Sequence, residues 1–218
     1  THCGPEIGVA STKAFVGQMA AMYVLAIHFA VIRGNIFDTD ARNYVGELLK
    51  IPRLIESVLD SEDEVRKIAD SFAASEHFLF ISRHINFPIA LEGALKIKEI
   101  AYVHAEGYAA GEMKHGPIAL IDKGMPVLAI ATSSKMLHLV AGNIEEAKAR
   151  GAQVVAIVDE DSRQHIKASK YITVPKTLEI LSPLVNVVPL QMFAYFIALA
   201  KKCDIDKPRN LAKSVTVR

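Results

Sequence analysis

His77-Phe-Leu-Phe-Ile-Ser82, Met125-Pro-Val-Leu-Ala-Ile-Ala131 and Gln153-Val-Val-Ala-Ile-Val158 are the three stretches that decide the fold. Each is short and apolar at consecutive rather than alternate positions, so both of its faces must be covered. Helix-length segments separate them. Pro88 to about Val103 follows the first, and Lys135 to Arg150, stopped by Gly151, follows the second. A fourth strand at Tyr171-Ile-Thr-Val174 and a closing helix over about Leu184 to Lys201 complete the alternation. Strands of this kind joined by helices predict a doubly wound α/β sandwich with a parallel sheet.

The upstream third reads as helix. Ser11-Thr12 can cap a helix running to Ile32, with Arg33-Gly34 as its stop. Asp38 to Leu59 is helical with a break near Lys50, because Pro52 cannot sit inside a helix. The acidic run Asp60 to Asp63 opens a further helix to about Ala74. Met19 to Ile32 is apolar but shorter than the ~20 residues of a spanning helix, and it carries His28. Ser182 to Ala200 is interrupted by Asn186, Pro189 and Gln191. Both runs are expected in a core or a subunit interface, with no membrane involved.

The 218 residues suffice for one sizeable core, and 51% hydrophobic with 22% charged residues is a globular composition. A net charge of +1 gives no electrostatic footprint for nucleic acid. Cys3 and Cys203 have neither metal-ligand nor disulfide-framework spacing, which fits a reducing, cytoplasmic setting. The eight histidines form no metal-like cluster, so no metal is expected. The chain begins at Thr1 without a signal pattern and is expected to be a piece of a longer one.

Four groups of residues could carry chemistry. Glu92, Lys96 and Glu99 stand at i, i+4 and i+7 and share one helix face. A solvated stripe is the plain alternative, but Ala, Leu and Gly flank them, and Gly93 costs helix stability unless something approaches closely. Because ligands of open α/β sheets bind beyond the carboxyl ends of the strands, the early turns of this helix should border the crevice. His115 lies in the glycine-rich bend Gly107 to Pro117, which reads as a shaped loop, and its imidazole titrates near neutrality. Lys213 lies in the tail Pro208-Arg-Asn-Leu-Ala-Lys-Ser-Val-Thr-Val-Arg218, whose apolar residues look built to dock. A lysine carried into a dry site can act as a neutral amine towards a carbonyl. Thr132-Ser-Ser134 reads as a helix cap, with a phosphate cradle as the alternative.

Ala90 to Leu120, Glu6-Ile-Gly-Val-Ala-Ser-Thr-Lys-Ala-Phe15 and the tail together resemble the isomerase region of the glucosamine-6-phosphate synthase family. The resemblance implies a sugar isomerase (SIS) domain, flavodoxin-like, over residues 56–201. Residues 1–55 would then be the last helices of a preceding SIS domain, and 202–218 a catalytic tail. It implies an imine at Lys213, a proton shuttle at Glu99 assisted by Glu92 and Lys96, and ring opening by His115 acting in a neighbouring subunit's site. Val9, Ala10, Ser11 and Ala212 would lie along the sugar. Implied partners are fructose 6-phosphate or glucosamine 6-phosphate, ammonia from a glutaminase domain, and a second copy in a homodimer. No cofactor is implied. The family's serine-rich phosphate loop and its glutaminase cysteine are not in this sequence, so the fragment alone should bind the sugar phosphate weakly and should not hydrolyse glutamine. A deglycase of the same superfamily, a sensing module without turnover, and a structural dimerisation fragment are the other readings.

Overall fold

The computed structural model describes residues 1–213, so Ser214 to Arg218 of the tail lie outside the described residues. Five parallel strands form one sheet in the order β2-β1-β3-β4-β5: β1 (His77–Ser82), β2 (His104–Ala109), β3 (Pro126–Ile130), β4 (Gln153–Val158) and β5 (Lys170–Thr173). This is the flavodoxin-like order, with the direction of winding reversing between β1 and β3. The helices are α1 (Lys13–Ile32), α2 (Asp38–Leu48), α3 (Ile51–Leu59), α4 (Glu62–Asp70), α5 (Phe87–Lys96), α6 (Leu137–Lys148), the short α7 (Glu160–Arg163) and α8 (Ser182–Ala200).

The consecutive apolar residues of the strands divide between two cores, as the period-2 geometry of a strand requires. Phe78, Phe80, Leu128, Val155 and Ile157 face α3, α4, α5 and α8. Leu79, Ile81, Val127, Val154 and Ala156 face α6 and the turn around Met113. The molecule is a three-layer α/β sandwich. Helix α8 is apolar on every side and is almost wholly buried, as a core helix should be. Helix α1 is equally apolar but has no buried residue among those described. Both α1 and the segment Glu179–Ala200 have the length and composition of a membrane span, and 83% of the latter's apolar window is buried in the fold.

Two sequence expectations are corrected here. The stretch read as a shaped loop, Gly107 to Pro117, begins inside β2, an edge strand not expected from the sequence and aligned with β1 from His77 opposite His104 to Ser82 opposite Ala109. Its small, polar residues hide it: only Ala105 is fully buried, and Gly107 is required because a Cβ there would lie 2.8 Å from the Leu91 Cα of α5. Thr132-Ser-Ser134 does not cap α6 through its side chains, since α6 begins at Leu137 without a side-chain cap. Instead Asp159 accepts from the Ser133 N–H at 2.5 Å and from the Ser133 hydroxyl at 2.6 Å, and Thr132 accepts from Asn186 at 2.9 Å. The donors that an anion would need on Ser133 are therefore held by an internal carboxylate.

Candidate active site

Helix α5 leaves the carboxyl end of β1 and runs back along the sheet, so its last turn lies near the amino ends of the strands. Gly93 lets it do so closely, because a Cβ there would stand 2.8 Å from Leu190 of α8 and 2.9 Å from the Phe80 ring. After Lys96 the helix widens into a π turn over Ile97–Ala101 and stops at Tyr102, which is left-handed with φ 56°. Wide turns of this kind recur at functional sites.

On this stretch Lys96, a residue only 2% exposed, holds its ammonium 2.5 Å from Glu99 Oε2 and 3.2 Å from Glu92 Oε1. The approach to Glu92 is an ion-pair contact without the alignment of a hydrogen bond, and Oε1 is a buried atom with no hydrogen-bond partner. Burial pushes the Glu92 carboxyl above the usual carboxylate range; the Lys96 charge opposes that shift and the Glu99 charge adds to it. One buried cation thus serves two carboxylates. The group is placed at the amino half of the sheet, not in the carboxyl-end crevice expected from the strand rule, because only the first turns of α5 border that crevice.

Lys96 also lines a hollow of about 290 Å³ together with Glu6, Ala10, Gln191, Tyr195 and Asp206. The tail closes one side of it. Pro208 is buried, the Asp206 carbonyl accepts from the Val9 N–H at 3.0 Å, and Gly8 lies under the Asp206 side chain. Further on, the Arg209 N–H donates to the Tyr102 hydroxyl at 2.7 Å, and the Arg209 guanidinium stacks 4.3 Å from the Tyr102 ring centroid. Arg209 to Leu211 then border a second hollow that Glu99 lines. Lys213 ends this path 2.7 Å from Glu6 Oε2, with 41% of its side chain exposed. The dry site expected for Lys213 is not where the chain puts it, since pairing with Glu6 at the rim leaves the ammonium partly hydrated.

The structure therefore brings Glu92, Lys96, Glu99, Ala10 and the docked tail into one region. Val9 and Ser11 are half-buried beside it, and Ala212 is exposed. His115 is not part of this group. It lies in the turn beyond the carboxyl end of β2, its side chain 74% exposed and its Nδ1 2.7 Å from Glu112. The six residues of β2 span about 20 Å, and they separate His115 from the end where Glu99 stands. Tyr102, Arg209 and Gln191 were not singled out from sequence.

The profile described as SIS domain matches residues 71–201, more than half of the chain. The chain belongs to the SIS domain family. Over its whole length it is 49% identical to the glutamine--fructose-6-phosphate aminotransferase [isomerizing] of Methanosarcina acetivorans, covering 35% of that protein. Identity to the enzyme of the same name from Thermus thermophilus is 48% over 99% of the chain and 36% of that protein. A solved structure, the C-terminal domain of glucosamine-fructose-6-phosphate aminotransferase from Francisella tularensis, superposes with a TM-score of 0.91 at 37% identity. That match covers 94% of this chain and 58% of the other. The chain spans about a third of the length of the curated relatives it matches. Its matched SIS residues 71–201 include Glu92, Lys96, Glu99 and His115 and stop short of the tail.

Proposed function

We propose that this chain is part of the isomerase region of an enzyme that makes glucosamine 6-phosphate from fructose 6-phosphate and glutamine-derived ammonia. The observation that carries the reading is the buried Lys96 ammonium held between Glu92 and Glu99 beside a docked tail that delivers Lys213 to the same region. The Lys213 amine attacks C2 of the open-chain ketose and expels water to form an imine. Ammonia displaces the lysine by exchange. Glu99 takes a proton from C1 to give an enaminol, which becomes the aldehyde as that proton returns to C2 and the O1 proton passes to the nitrogen. Lys96 balances charge that develops on oxygen, and Glu92, whose carboxyl is held towards its protonated form by burial, relays protons.

In this reading Val9, Ala10, Ser11 and Ala212 lie along the sugar, and no cofactor takes part. The phosphate is held by another part of the full-length protein, which the occupation of the Ser133 donors by Asp159 supports. The separation of His115 from Glu99 along β2 supports its acting in a second subunit's site, hence a homodimer. Residues 1–55 belong with a preceding SIS domain, which would cover the bare apolar faces of α1; the buried Ile51 and Val58 tie α3 to the present core. Residues 56–201 form the SIS domain, and 202–218 the tail. The soluble enzyme would work in the cytoplasm.

Borohydride trapping in the full-length protein tests the imine. Fructose 6-phosphate should become attached in the wild type and not after Lys213→Ala; undiminished attachment would end the proposal.

A further inference from the structure

We infer that the Gln191 side-chain amide is a sugar-binding group, donating a hydrogen bond to a hydroxyl or carbonyl oxygen of the substrate in the Lys96 hollow. The inference rests on the functional reading above and adds a residue to it. Gln191 projects from α8, and its Nε2 is a buried donor with no hydrogen-bond partner. Buried donors are nearly always paired, because an unpaired one forfeits its hydration with nothing in return. Among the described residues only four buried side-chain atoms are left in this state, and two of them, Gln191 Nε2 and Glu92 Oε1, belong to residues around Lys96. The other two, on Thr177 and Glu179, lie on the loop before α8.

The surroundings say what kind of ligand would satisfy the amide. Gln191 borders two hollows. One is walled largely by Leu59, Val188, Met192 and Phe196. The other holds Lys96, Glu6 and Asp206. In the second, Lys96, Lys13 and the Gln191 amide offer N–H donors, whereas Glu6 and Asp206 can only accept. A polyhydroxylated ligand matches this mixture, since each hydroxyl both donates and accepts. A phosphate dianion does not, because both lysines are already engaged, Lys96 by Glu92 and Glu99 and Lys13 by the Pro5 carbonyl, while two carboxylates would face it. The amide therefore reads the sugar and not its phosphate.

The test uses Gln191→Met and Gln191→Glu in the full-length protein. Both keep the side-chain length and both lack the N–H donor, and one is apolar while the other is charged, so a folding defect peculiar to one leaves the other readable. The KM for fructose 6-phosphate should rise about tenfold in both, the factor that one neutral hydrogen bond carries. The ligand-free unfolding midpoint of Gln191→Met should equal or exceed that of the wild type, because no bond is lost. Affinity for inorganic phosphate should not change. An unchanged KM, or a ligand-free midpoint lowered in Gln191→Met, would overturn the inference by showing that the amide serves the fold. Phosphate affinity falling in step with KM would overturn the assignment to a sugar oxygen. A wild type that neither converts nor binds fructose 6-phosphate would instead overturn the functional reading, and this inference with it.

Discussion

The two ends of the sheet handle buried polar groups in opposite ways. Ten polar or charged residues are buried among those described, and eight of them lie towards the carboxyl ends of the strands: Ser82, Asn86, Thr132, Asn143, Asp159, Ser162, Ser182 and Asn186. There each of these eight residues finds a neighbour, although Thr177 Oγ1 and Glu179 Oε1, on the loop that follows β5 at the same end, are buried without one. Asn86 donates to Ser182, Asn186 donates to Asn86 and Thr132, and Asp159 takes the Ser133 and Ser162 donors. The remaining two are Glu92 and Lys96, at the other end, where one cation answers two carboxylates and an adjacent amide goes without a partner. A network whose members bond to one another fixes a structure. An unbalanced one holds free energy in reserve for a ligand. At the crevice that open α/β sheets usually offer to ligands, the buried residues around Asn186 bond to one another; the buried charges left out of balance lie at the opposite end, the unfinished one.

That contrast is broken most directly by substitutions that should affect only one end. Glu99→Gln in the full-length protein should lower the rate of sugar isomerisation by about 10²–10⁴-fold, the usual loss when a general base is removed. It should also stop exchange of the C1 proton with solvent while leaving borohydride trapping at Lys213 intact, which mass spectrometry reads. At the other end, Asn186→Ala strips the donors from Asn86 Oδ1 and Thr132 Oγ1, both buried. Denaturant titration should show a loss of about 3 kcal/mol, with the KM for fructose 6-phosphate unchanged. A large loss of activity without loss of stability in Asn186→Ala would erase the distinction between the ends.

The sequence makes these two ends unequally legible. Runs such as Val154 to Val158 announce buried parallel strands because nothing but a two-sided core accepts them. The spacing of Glu92, Lys96 and Glu99 shows which face of α5 they share, and the structure joins all three through one ammonium. Spacing fixes a face but not a height along the helix, so it could not tell which end of the sheet the group would reach. Strand β2 escaped because an edge strand tucked against a helix by Gly107 needs small residues, and small polar residues look like a loop. The hold of Tyr102 on Arg209 joins residues 107 positions apart, and no local pattern encodes such a contact.

The tail contact gives a smaller test of the unfinished end. Tyr102→Phe removes the acceptor for the Arg209 N–H and keeps the ring under the guanidinium. One lost hydrogen bond of about 1 kcal/mol should cost about fivefold in the rate of imine trapping, with little change in the unfolding midpoint. An equal rate in both proteins would mean that Pro208, the Val9 contact and the Arg209 stack hold the tail without that hydrogen bond.

The smallest expected effect is the pH dependence of Glu92, and it separates the two ends by sign. Burial raises this carboxyl in the folded state, so the native protein holds the proton more tightly than the unfolded chain does. Stability from this group is then fully present below the unfolded value, about 4.3, and is lost as pH rises through the higher folded value. One proton limits the slope to about 1.4 kcal/mol per pH unit. Urea unfolding of the wild type and of Glu92→Gln at a series of pH values from 4 to 7 should show this decline in the first and not in the second. At neutral pH the variant should be at least as stable as the wild type, because it no longer keeps a carboxylate out of water. The neutral groups around Asn186 should contribute no such slope, so Asn186→Ala should run parallel to the wild type across the same range. If Glu92→Gln keeps the wild-type decline, the lysine has already settled the account between its two carboxylates, and the amino end is as complete as the other.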